Sequence, residues 1–314
     1  MKWLSRHPVS GFTGLTFFLS WLLIFTFRGL GYQWNTPAAY VAVLMYMYLP
    51  LVSSVVLHRA LSRNGLGETL GISFKFNKWF VIAWALPFAA AALALLASLL
   101  LPGIGFSAER TALLDRFAGH MTPEQLETAR AQLASLPMHP VLLTLAQALI
   151  AGATVNALAA FGEEAGWRGF LWRHLEPLGF VKASLTTGLL WGIWHMPLIL
   201  MGHNYPDHSR AGVFMMVGVT LLLSPLLLYV RIQAKSVIAP SLLHGAFNAA
   251  VALPLLVSKG GNDLTVGLTG WTGMAGLLAL NALLAVYDRY FAKQPLVFGR
   301  TRATGCSEGP GTGS

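Results

Sequence analysis

The sequence predicts an all-α, polytopic membrane protein with about eight transmembrane helices and a polar intramembrane cavity. Three observations carry that prediction. Of 314 residues, 55% are hydrophobic and 11% charged, and the mean hydropathy is +0.60, values well outside the globular range. Apolar runs near the 20 residues that cross a hydrocarbon core recur eight times. The runs are continuous, whereas the strands of a membrane barrel would be short and alternating.

The runs lie near 11–30, 37–58, 79–101, 140–161, 183–201, 212–230, 236–257 and 268–287. Lys2 and Arg6 precede the first as in a signal peptide, but it ends in Phe27-Arg28-Gly29 with no small-x-small cleavage site, so a retained helix is expected. The loop 102–139 holds "MTPEQLETARAQLASLP". There Thr122 reads as N-cap, Pro123 as the first helical residue, Gln125 as the partner in a capping box and Pro137 as terminator. Leu126, Ala129, Leu133 and Leu136 share one face, which predicts an amphipathic helix on the outer surface. The chain divides into N-terminal spans and outer loop (1–138), a core (139–260), a last span with a basic segment (261–303) and a Gly-rich tail (304–314) expected to be disordered.

With the N-terminus inside, fifteen of the 21 Lys and Arg fall on inner loops, which predicts that both termini are cytoplasmic. A basic inner face attracts anionic lipid, so the net charge of +9 needs no nucleic-acid partner. The single cysteine, Cys306, permits no intramolecular disulfide and makes a thiol catalyst unexpected.

Charge inside a membrane costs roughly 2.5–3.5 kcal/mol per residue at the centre on insertion scales, so each polar cluster is a functional hypothesis. "FGEEAGWRGFLW" puts Glu163, Glu164 and Arg168 at the end of the fourth run. Glu164 and Arg168, four apart, face each other as an ion pair. Glu163 is rotated about 100° away and shares a face with Asn156, Ala160 and Trp167. A carboxylate in apolar surroundings suits general acid–base work, although charges at a helix end are also ordinary headgroup contacts. "LLWGIWHMP" places His195 deep in the fifth run, one turn after Trp191 and two residues before the helix-bending Pro197. In "SLLHGAFNA", His244 and Asn248 project from one face and can donate to an oxyanion, or bond helix to helix. If the three converge, acid–base groups and oxyanion donors around one cavity describe a hydrolase. Convergence requires the fourth helix to end inside the protein, with 165–180 folding back through Gly166, Gly169 and Gly179.

In this order the motifs resemble the CPBP family of intramembrane proteases, which includes type II CAAX prenyl endopeptidases and bacteriocin-processing or self-immunity proteins. Its Glu-Glu-x-x-x-Arg stands as Glu163-Glu164-Ala165-Gly166-Trp167-Arg168, in the form "EEAGWRGFLW" frequent in bacterial members. Its Phe-x-x-x-His is present as Trp191 to His195, with Trp for Phe, and its His-x-x-x-Asn as His244 to Asn248. The resemblance covers about 140–260. It implies that Glu163 with His195 activates water, that His244 and Asn248 hold the oxyanion, and that Glu164 and Arg168 are a structural pair. Trp191 is read as an aromatic packing neighbour. Whether zinc takes part is left open; such a site needs three ligands, for which Glu163, His195 and His244 are available.

The expectation is thus a bacterial inner-membrane endopeptidase, cutting membrane-anchored CAAX-like or leader-type peptides at the cytoplasmic side, with lipids as its other partners. A polar-cavity transporter would show inverted repeats, which are not evident. A non-catalytic immunity or regulatory protein would keep the motifs for folding alone. A metal site at His203, Asp207 and His208 in "GHNYPDHSR" is a weaker alternative, because the loop spacing contains proline.

Overall fold

The computed structural model describes residues 2–34, 36–61 and 65–299. The expectations for Cys306, the tail 304–314, Arg63, Arg300 and Arg302 lie outside the described residues. The longer helices are α1 (Pro8–Gly29), α2 (Pro37–Leu61), α3 (Lys78–Ser98), α4 (Pro123–Ser135), α5 (Pro140–Ala153), α6 (Val155–Glu164), α7 (Phe180–Trp194), α8 (Ser209–Ala234), α9 (Ile238–Ala250) and α10 (Trp271–Tyr290). Among the described residues seven helices are long and apolar enough to cross a membrane: α1, α2, α3, α7 continued to Leu200, α8, α9 continued to Leu256, and α10. The chain is an all-α, multi-pass membrane protein.

The expected span at 140–161 is corrected. Two helices occupy it, broken at Thr154, whose φ of −124° and ψ of −96° are not helical. From Val155 the helical turns then run without interruption to residue 178, through a π-helical stretch, Ala165–Leu171, that is buried throughout. Glu163 therefore lies within a helical run rather than at its end, and no fold-back occurs at Gly166 or Gly169. A Cβ on Gly166 would meet Pro50 Cβ at 2.5 Å, so this glycine serves close approach to α2. The reversal comes at Gly179, whose φ of +78° is one that a glycine adopts without strain.

The loop helix α4 carries the capping box between Thr122 and Gln125. Leu126, Ala129, Leu133 and Leu136 are its half-buried face, with the intervening residues exposed. It meets α5 at an 87° bend.

Hydrogen bonds knit the two ends of the bundle separately. At one end the segment before α3 joins the turn after α8: Val237 N donates to Gly71 O, Ser236 Oγ to Ser73 O and Asn77 Nδ2 to Ala234 O. At the other end Gly105 and Phe106 pair antiparallel with Lys259 and Ser258. There Asp263 accepts from the backbone of Asp207 and His208 and from the His208 ring, and Tyr205 donates to Thr269 O.

Candidate active site

Glu163 and His195 stand 16 residues before and after the reversal at Gly179. Two helical arms of equal length, about 24 Å each at 1.5 Å per residue, bring them to the same depth. The third element, α9, packs against α6 almost backbone to backbone. A Cβ on Gly245 would lie 2.4 Å from Ala157 N and 2.6 Å from Asn156 C. Close approach at small residues is what holds membrane helices together, since lipid supplies no hydrophobic drive between them. Here it carries His244 and Asn248 to the same place.

Glu163, Trp191, His195, His244 and Asn248 all line one cavity of about 260 Å³. Glu163 is 2% and His244 4% exposed; His195 is half-buried and Asn248 faces the open space. The wall opposite is Val43, Tyr46 and Met47 of α2, so the site draws on the N-terminal spans as well as on the core at 139–260.

Trp191 is the hub. Its indole Nε1 donates to Glu163 Oε2 at 2.7 Å, and the Arg168 guanidinium lies 4.5 Å over the ring. Both histidines meet it edge-on, His244 at 5.1 Å and His195 at 5.5 Å between ring centroids. Reading Trp191 as a packing neighbour missed this bond, which the phenylalanine of the motif could not make.

His195 Nδ1 lies 2.8 Å from Trp191 O. A carbonyl only accepts, so this nitrogen carries the proton and Nε2 keeps the lone pair. The helix breaks beside it, and the Trp194 carbonyl accepts from Tyr46 and Trp21. The Trp194 indole in turn donates to Ser20 Oγ at 2.8 Å. The backbone bend that aims His195 is thus fastened to α1 and α2.

Beneath the cavity, Glu164 Oε1 accepts from Arg168 Nη1 and from His244 Nδ1, each at 2.9 Å. Arg168 Nη2 donates to Ser224 Oγ at 3.2 Å, and the Arg168 carbonyl accepts from Arg231 Nε at 3.1 Å. Ser224, Arg231, Tyr46, Trp21 and Ser20 were not foreseen. The only sequence signal was a polar side chain inside an apolar run, as at Ser20 and Ser224.

Among the described residues, no three His, Cys, Asp or Glu side chains stand together so as to hold a metal ion. Glu163, His195 and His244 share a cavity without forming such a set, and one ligand atom of each already serves a protein partner. His203, Asp207 and His208 form none either.

Residues 144–250 match the family model described as "Type II CAAX prenyl endopeptidase Rce1-like". Over 49 residues the chain is 43% identical to "CAAX prenyl protease 2" of Methanococcus maripaludis, covering 15% of this chain and 18% of that protein. The chain thus spans less than a fifth of the curated relative in this match. Glu163, Glu164, Arg168, Trp191, His195, His244 and Asn248 all fall inside 144–250, so the stretch that carries these seven residues is the one similar to type II CAAX prenyl endopeptidases.

Proposed function

We propose that the chain is an intramembrane endopeptidase that hydrolyses peptide bonds of membrane-associated substrates. The observation that carries this reading is a buried carboxylate, Glu163, in one cavity with a histidine whose Nε2 lone pair is free and with a second pair of donors, His244 and Asn248. Glu163, held by Trp191 at one oxygen, keeps the other to accept a proton from water, and His195 Nε2 orients or shares that proton. The hydroxide adds to the scissile carbonyl. The oxyanion that forms is held by Asn248 Nδ2 and by Nε2–H of His244, whose imidazolium form Glu164 supports from Nδ1. Collapse expels the amine, which takes its proton back from Glu163.

Glu164 and Arg168 are the structural pair that fixes His244 and backs Trp191. Bacterial cell membrane is the proposed setting, supported by the form of "EEAGWRGFLW". The test is to present the purified wild type with a library of membrane-anchored peptides and identify products by mass spectrometry, beside His244→Ala and Asn248→Ala. Discrete peptide products that both variants reduce support the reading. Absence of any cleavage by folded wild type, or equal cleavage by all three, removes it.

A further inference from the structure

We propose that the cavity takes its substrate from the membrane face opposite the basic loops, the extracytoplasmic face, and that its substrates are peptide segments exposed there. What is cut rests on the endopeptidase reading above. The side from which the cavity is reached stands on separate observations.

The first is the shape of the void. The site cavity shares His203, Asn204, Val251 and Thr269 with a second cavity of about 460 Å³. Trp34, Arg116 and Gly261 also line it, and all come from the end of the bundle where Gly105 and Phe106 pair with Lys259 and Ser258. Arg116 is tied to that end by donating to Ser258 O and Gly260 O. A mouth this size, with mixed polar and apolar walls, suits an extended peptide. In the opposite direction the void is closed. Glu164, Arg168 and Ser224 lie under it, each no more than 1% exposed and bonded to one another.

The second observation is charge. Among the described residues, eleven Lys and Arg lie at the closed end, including Lys75, Lys78, Arg173, Lys182 and Lys235, against six at the open end. Buried Arg168 counts for neither. Basic residues in short loops stay on the cytoplasmic side, so the closed end is cytoplasmic and the mouth faces outward. The sequence placed cleavage at the cytoplasmic side because motif order does not reveal toward which end of a helix a void opens.

The test is cysteine accessibility in a Cys306→Ser background. Glu127→Cys and Pro206→Cys report the open end, His203→Cys the passage between the cavities, and Lys182→Cys the closed end; Glu127, Pro206 and Lys182 are exposed. Spheroplasts are treated with a membrane-impermeant maleimide before and after permeabilisation. We expect Glu127→Cys, Pro206→Cys and His203→Cys to label fully in intact spheroplasts, and Lys182→Cys to label at least tenfold more after permeabilisation. The reverse pattern, equal labelling of both ends, or a His203→Cys that labels only after permeabilisation overturns the proposal. Labelling needs no proteolysis, so this result stands apart from the fate of the endopeptidase reading.

Discussion

Replacing Trp191 by Phe removes a single hydrogen-bond donor and leaves an aromatic ring in place. In the structure that donor reaches Glu163 Oε2 at 2.7 Å inside a buried site. A hydrogen bond to a charged group contributes about 1.5–3 kcal/mol, and removing its donor leaves the carboxylate oxygen unpartnered. The cation–π contact with Arg168 at 4.5 Å weakens by less than about 1 kcal/mol, since Phe retains a π face. If most of the bond's contribution is felt where Glu163 is poised for reaction, cleavage falls roughly 10- to 100-fold at 1.4 kcal/mol per decade. The assay is cleavage of a membrane-anchored peptide that wild type cuts, beside the thermal midpoint in the same detergent. Phe occupies this position in the motif of the resembled family, which makes shape alone a definite rival. Wild-type cleavage with an unchanged midpoint in Trp191→Phe would return Trp191 to a packing role.

Three further outcomes are expected. Glu164→Leu strands the Arg168 guanidinium, which is 1% exposed, and should destabilise the fold by about 3–5 kcal/mol; an unchanged thermal midpoint contradicts the structural pair. Gly245→Ala forces a Cβ to within 2.4 Å of Ala157 N, which should cost about 1–3 kcal/mol and separate His244 from Glu163, and wild-type cleavage by this variant speaks against close α6–α9 packing. Burial lowers the pKa of His203, in the loop after Leu200, to about 4, against about 6.5 when unfolded. The unfolded chain then binds the proton first, so this contribution to stability is complete above pH 6.5 and is lost as pH falls toward 4. His203→Gln should lower the loss of thermal midpoint between pH 7.5 and 4.5, and an unchanged loss would count against a neutral imidazole at this half-buried position.

The spans without charge in their interiors were legible: α1, α2 and α3 lie within a few residues of their runs because Lys and Arg stand only near their ends and no Asp or Glu interrupts them. The run 155–178 was not, since Glu163, Glu164, Arg168 and Arg173 depress its hydropathy in the stretch that is most buried. What hydropathy concealed, spacing held. Glu163 and His195 are equidistant from Gly179, and a reversal at that glycine places them at one depth. The partners that orient the site were illegible for a different reason. Trp21 and Tyr46 reach the Trp194 carbonyl across 173 and 148 residues of chain, contacts that no local pattern encodes. Ser224 and Arg231 reach Arg168 in the same way.

Whether Glu163 accepts the proton of the attacking water is decided by Glu163→Gln. The amide keeps the shape and can still accept from Trp191, but it cannot take a proton. Cleavage of an anchored peptide and the thermal midpoint are measured on the same preparation as wild type. With Glu163 as general base, cleavage should drop roughly 10²–10⁴-fold, the usual contribution of such a group, with the midpoint held or raised. Cleavage within a few fold of wild type by a folded Glu163→Gln protein would contradict that role.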